Sequence, residues 1–284
     1  MIHWAWCIGL SGLLLAAPAS ALPQEARFSS LDGTLLTAWV FQPKATAPKG
    51  TVVALHGCGG LYASSGPRKG QLNSRHQAMA ELLTAEGYSV VFPDSLLPRG
   101  ETELCTQKIG SRRIGQTERR ADTLAALAWV AAQPWAQRAA GPAPIALLGW
   151  SHGGSAVLAA TDAARADVRA QAVRPAVAIA FYPGCYASLT ASYTASAPLV
   201  LMLGELDDWT APGPCIALGK SAGAEVNVYP GSHHGFDGPS GEVRLRTDVP
   251  GGVNAGQGVH VGPNPAARDM AHARLLEVLQ DAMK

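Results

Sequence analysis

Short apolar runs, each about the length of one strand, recur along the chain between longer stretches with helical spacing. Residues 51–56, 88–93, 145–150, 176–182, 198–204 and 225–229 carry this pattern, and most of them lack the apolar–polar alternation of a strand with one wet face. Continuous apolar runs of this length suit strands covered on both sides. Helices are expected between them, at about 74–86 (closed by Gly87), at 117–133 (with Pro134 beyond its end), directly after residue 151, at 213–221 and at 265–283. Residues 26–30 and 35–42, separated by Asp32-Gly33, read as a leading hairpin. Strands regularly separated by helices imply an α/β fold with a mainly parallel sheet and helices on both faces. In such sheets functional groups collect at the carboxyl ends of the strands.

The first residues stand apart from this pattern. Residues 4–17 are almost wholly apolar, and Ala19-Ser20-Ala21 supplies the small-x-small pattern of a signal-peptidase site. The run falls short of the roughly 20 residues a spanning helix needs. Residues 1–21 are therefore expected to be an export signal, leaving a domain over 22–284 in the periplasm or outside the cell. A buried N-terminal helix or a retained anchor is the alternative, since the run is preceded by no Lys or Arg.

Composition narrows the partners. Charged residues make up 15% of the chain and hydrophobic ones 48%, which points to a packed core rather than disorder. A formal net charge of +1 gives no reason to expect nucleic acid or an acidic surface as partner. After removal of the signal no membrane association is expected, and a small molecule is the expected substrate.

Candidate chemistry falls at the ends of the apolar runs. The run 145–150 passes directly into Gly149-Trp150-Ser151-His152-Gly153, a G-x-S-x-G motif with a strand before it and a helix after it. That context exposes the Ser151 hydroxyl at a sharp turn. Asp207 and Asp208 follow the run 198–204, and His233 and His234 follow the run 225–229. Serine, then aspartate, then histidine is the chain order of an α/β-hydrolase triad. The hydroxyl needs a neutral imidazole to take its proton, and the imidazole needs a carboxylate to fix its tautomer. His234 is preferred over His233 because the Gly-Phe after it leaves its side chain room to turn inward. Asp207 is preferred over Asp208, which stays open. The Gly-rich loop His56-Gly57-Cys58-Gly59-Gly60 is the expected oxyanion loop, with the backbone N–H groups of Cys58 and His152 as donors. No H-E-x-x-H or C-x-x-C pattern and no G-x-G-x-x-G after a strand is present, so no metal and no cofactor are expected.

These motifs, with Asp94-Ser95-Leu96-Leu97-Pro98-Arg99-Gly100 and Tyr229-Pro230-Gly231-Ser232-His233-His234-Gly235-Phe236-Asp237, resemble the dienelactone hydrolase family of α/β-hydrolases. The resemblance runs from about Ala26 to the final helix. It implies Ser151, Asp207 and His234 as triad, and hydrolysis of ester or lactone bonds through an acyl-enzyme. The enzyme that names the family uses a cysteine nucleophile where this chain has Ser151, so the acyl substrate is left open. A non-catalytic binding protein on the same fold is the rival reading. Arg99 is a candidate for binding a substrate carboxylate as a bidentate donor, with anchoring of its own loop as the alternative. Four cysteines follow the export signal and allow three pairings. The expected pairs are Cys58–Cys105, joining the oxyanion loop to the long loop after it, and Cys185–Cys215; buried free thiols are the alternative.

Overall fold

The computed structural model describes residues 23–44, 48–138 and 141–284, so the expected export signal over 1–21 lies outside the described residues. An eight-stranded sheet forms the centre, with strands β1 (Gln24–Ser29), β2 (Leu35–Phe41), β3 (Thr51–Leu55), β4 (Ser89–Asp94), β5 (Ile145–Trp150), β6 (Val177–Phe181), β7 (Leu199–Gly204) and β8 (Glu225–Tyr229). Their spatial order is β1-β2-β4-β3-β5-β6-β7-β8. The leading hairpin is antiparallel and joins β4 antiparallel, while β3 to β8 run parallel throughout.

Burial follows position in the sheet. Every residue of β3, β4, β5, β6 and β7 is buried, which is why these runs read as continuously apolar. The edge strand β1 exposes alternate residues, and β8 keeps only Tyr229 fully buried. Helices α2 (Gln116–Ala131), α3 (His152–Ala160) and α4 (Pro212–Ala222) pack on one face through Leu124, Leu127, Val157 and Leu218. Helices α1 (Ser74–Ala85) and α5 (Pro265–Ala282) cover the other through Met79, Leu83, Leu275 and Leu279. Each such side chain contributes about 1.5–3 kcal/mol by leaving water.

The helix ends show why the chain turns where it does. The Asn73 side chain accepts the His76 N–H at 3.1 Å and starts α1. The Glu118 carboxylate takes the Gly115 N–H at 2.7 Å at the start of α2. Pro212 and Pro265 occupy the first turns of α4 and α5, where a missing N–H costs nothing. Two short helices, Ala166–Arg169 and Tyr186–Thr190, and an antiparallel ribbon of β9 (Arg244–Arg246) and β10 (Val259–Val261) were not legible as periodic segments.

Over the carboxyl ends of the strands lies a smaller apolar cluster of Cys58, Leu96, Leu104, Cys105, Ile114, Val249 and Val259. Cys58 is disulfide-bonded to Cys105, and Cys185 to Cys215. The Leu104 N–H also donates to the Cys58 carbonyl at 2.7 Å, so the loop after β3 is held from both sides of one residue. Reduction of the Cys58–Cys105 bond is therefore expected to lower hydrolytic activity while far-UV circular dichroism stays near native. A parallel loss of both signals would contradict this.

Candidate active site

Ser151 sits between β5 and α3 with φ 53° and ψ −116°, a backbone conformation that costs a non-glycine residue about 1–3 kcal/mol. The surrounding backbone holds it there: the Ser151 N–H donates to the Phe181 carbonyl at 2.9 Å, and the Ser151 carbonyl accepts the Ser155 N–H at 2.8 Å. A Cβ on Gly153 would overlap the carbonyl oxygens of Leu55 and His56, and one on Gly149 would overlap the backbone of Gly153. Gly153 is thus required by the close approach of the first turn of α3 to the end of β3, and Gly149 by the approach of that turn to the end of β5.

Three side chains from three strand ends meet. His234 Nε2 lies 2.9 Å from Ser151 Oγ, and His234 Nδ1 lies 2.8 Å from Asp207 Oδ2. With Nδ1 donating to the carboxylate, Nε2 is the bare nitrogen facing the hydroxyl. Asp207 Oδ1 accepts the N–H groups of Trp209 and Thr210, at 2.9 and 2.8 Å, and Oδ2 accepts the Thr210 hydroxyl at 3.0 Å. Burial pushes the Asp207 carboxyl upward, but His234 and these donors outweigh it and hold it below the usual carboxylate value. Asp208, the open alternative, faces elsewhere: its carboxylate binds His260 through Nδ1 at 2.7 Å and through the backbone N–H at 2.8 Å. His233 likewise turns away, its Nδ1 2.9 Å from the Leu206 carbonyl.

A cleft of about 560 Å³ opens beside Ser151, lined among others by Cys58, His152, Tyr186, Trp209 and Pro214. Its lining contains one side chain of the Asp, Glu, Lys and Arg types, Arg112, whose guanidinium is held below its usual value by burial. Among the described residues the backbone N–H of Cys58 and that of His152 have no protein acceptor, and both residues line this cleft. A second cavity, of about 430 Å³, is lined by Leu61, Tyr62, Asp94 and Leu96 and does not reach Ser151.

Arg99, left open between binding a substrate carboxylate and anchoring its own loop, lies outside the lining of the cleft beside Ser151. Its guanidinium forms a two-pronged pair with Asp122, at 2.7 and 2.9 Å, and also reaches Asp32 at 2.7 Å and the Ser95 carbonyl at 2.8 Å. Through these contacts Arg99 ties the loop after β4 to α2 and the leading hairpin.

Several supporting residues escaped the sequence reading. Asp237, 2% exposed, accepts the Trp150 indole N–H at 2.7 Å and the Tyr182 hydroxyl at 2.6 Å, and pairs with Arg75 at 3.2 Å. Tyr182, at φ 38°, packs its ring 4.5 Å from that of His234. Burial raises the Tyr182 hydroxyl well above its usual value, so it stays a donor to Asp237. Under the loop after β3, the buried Arg119 donates to the His56 carbonyl at 2.8 Å. Burial lowers His56 far below its usual value, which keeps its Nε2 bare to accept the Ser95 N–H at 3.3 Å. The one available signal was Arg119 itself, a cation among the apolar positions of α2.

The family model for the dienelactone hydrolase family matches residues 36–283, nearly all of the described chain. The chain belongs to this family. It is accordingly a hydrolase of carboxylic esters, with an α/β fold shared by the solved members. A putative dienelactone hydrolase from Klebsiella pneumoniae subsp. pneumoniae matches with 16% identity and a TM-score of 0.59, over 90% of this chain and 98% of that one. A dienelactone hydrolase-like promiscuous phosphotriesterase from metagenomic libraries matches with 13% identity and a TM-score of 0.63, over 94% and 100%. Esterase 2 of Thermogutta terrifontis, phosphorylated by paraoxon, matches with 14% identity and a TM-score of 0.58, over 91% and 94%. No curated protein matches the chain significantly.

Three substitutions test the arrangement described above. Asp207→Asn is expected to leave the fold intact and lower turnover by about 10⁴-fold, whereas Asp208→Asn loses less than about tenfold because it does not touch the imidazole of His234. Arg99→Ala is expected to lower stability by about 3 kcal/mol, since it strands the buried Asp122, while KM for esters stays within twofold or so. Steady-state kinetics and urea unfolding of the purified variants check both.

Proposed function

We propose that the chain is a serine hydrolase that cleaves ester or lactone bonds of small molecules through an acyl-enzyme, with Ser151 as nucleophile, His234 as base and Asp207 as its carboxylate partner. The observation that carries the reading is the single imidazole within hydrogen-bond distance of both the Ser151 hydroxyl and the Asp207 carboxylate, beside a cleft. His234 Nε2 takes the hydroxyl proton as Ser151 Oγ attacks the acyl carbon. Asp207 stabilises the imidazolium that results. The carbonyl oxygen becomes an oxyanion, and the N–H groups of Cys58 and His152 receive it. One such donor is worth about 10²–10³-fold in rate. The imidazolium then gives its proton to the departing alcohol, and water, activated by the same nitrogen, releases the acid. In a lactone the alcohol remains attached to the acyl part.

The apolar lining of Tyr186, Ala187, Trp209, Ala211 and Pro214 suits an acyl or aryl group, and Arg112 supplies one positive charge at the wall. Nothing else in the cleft distinguishes ester from lactone. Export is the accompanying inference, supported by the two disulfides and by the signal-like first residues.

A fluorophosphonate probe is expected to label the wild-type protein and not Ser151→Ala, and that variant loses on the order of 10⁶-fold in turnover on a panel of p-nitrophenyl esters, aryl esters and lactones. Paraoxon, which phosphorylates the Thermogutta esterase, serves as a second titrant, read as a mass increase on the Ser151 peptide. A folded wild type with neither labelling nor ester turnover would make this a binding protein on a hydrolase fold. Equal labelling of Ser151→Ala would mean a different nucleophile.

A further inference from the structure

We propose that Asp208, His233 and His260 form a binding site for a divalent transition-metal cation, Zn²⁺ above all, that clamps the loops after β7 and β8 to the β9–β10 ribbon. One nitrogen of each imidazole and one carboxylate oxygen lie within 4.8 Å of one another. Ligand atoms of a tetrahedral zinc site stand about 3.3 Å apart, given zinc–nitrogen and zinc–oxygen bonds of about 2.0–2.2 Å. Closing onto an ion therefore needs side-chain shifts of about an ångström at most, which these half-exposed groups can make.

The donors are already oriented. His233 Nδ1 lies 2.9 Å from the Leu206 carbonyl, which can only accept, so that nitrogen carries the proton and Nε2 is bare. A carbonyl in this role is the usual outer partner of a metal-binding histidine. Asp208 Oδ1 accepts the His260 N–H at 2.8 Å, and Oδ2 accepts the His260 Nδ1 proton at 2.7 Å; an entering cation takes the place of that proton, which passes to solvent. The two rings stand side by side, with centroids 5.1 Å apart. Arg246, on the ribbon, pairs with Asp248 at 2.6 Å, so the Asp208 carboxylate is held by His260. Two imidazoles with one carboxylate select zinc, nickel or copper over calcium or magnesium, which prefer all-oxygen sites.

The three ligands come from segments far apart in the chain, so no motif announces them. Each is placed where a clamp would act. Asp208 follows Asp207, His233 precedes His234, and the residue just past β10 supports the latter, the Gly262 N–H donating to the His234 carbonyl at 3.1 Å. The site stands whether or not Ser151 is a nucleophile.

Isothermal titration of the untagged, chelator-treated protein with ZnCl₂ and CaCl₂ tests it, alongside Ser151→Ala, His260→Ala and Asp208→Asn. One saturable Zn²⁺ site is expected in the wild type and in Ser151→Ala, with at least tenfold weaker binding in His260→Ala and Asp208→Asn and no heat from Ca²⁺. Saturating Zn²⁺ should raise the wild-type Tm by about 5–10 °C, and not that of His260→Ala, whose fold is checked by circular dichroism. Absence of a saturable site, equal affinity in His260→Ala, equal response to Ca²⁺, or loss of binding in Ser151→Ala would each overturn the proposal.

Discussion

The close approach of the first turn of α3 to the carboxyl end of β3 governs the rest of this molecule. At Gly149 and Gly153 a methyl group would meet backbone atoms with no flexible side chain to give way. That contact lets the chain reverse within one residue, and the reversal leaves Ser151 in a conformation its side chain disfavours. It also brings the N-terminus of α3 beside the loop after β3, so Cys58 and His152 line the same cleft. Strain at Ser151 persists because hydrogen bonds to β6 and within α3 over-determine it.

Beneath that turn the polar groups are arranged to avoid an unmet need. Asp237 is buried against Trp150, Tyr182 and Arg75, and two hydrogen-bond donors and one guanidinium from three segments share its two oxygens. A buried carboxylate deprived of its partners costs several kcal/mol, so each donor is indispensable to the others. The network carries no reacting atom. Its effect is positional: Tyr182 presents its ring to one side of His234, and Trp209 presents its own from 4.7 Å. The imidazole packs against both rings, and its polar side-chain contacts among the described residues are Ser151, Asp207 and Thr210.

Much of this architecture could be read before any coordinates, for a physical reason. Strands buried on both faces must be continuously apolar, so β3 to β7 announced themselves, and the residues just past them were the natural places to look for chemistry. The choice between Asp207 and Asp208 was less secure because adjacent residues differ only in which way a loop turns, and that turn depends on the N–H groups of Trp209 and Thr210. Arg99 was legible as a cation near a strand end. Its acceptors Asp32 and Asp122 lie 67 residues before it and 23 after it, beyond any local pattern. The ribbon of β9 and β10 was hidden because its strands are only three residues long and largely exposed, with no periodicity to detect.

The cleft is assembled from segments that span nearly the whole described chain. Ser151 and His234 are 83 residues apart, Arg119 and His56 are 63 apart, and the strand that supports His234 ends at Val261. Contacts of such long range close late, because the chain's loop entropy must be overcome before they return anything. The leading hairpin and individual helices can form from neighbouring residues, but the cluster of Ser151, Asp207 and His234 cannot. During synthesis Ser151, Asp207 and His234 therefore first meet only when almost the last helix, α5, has emerged.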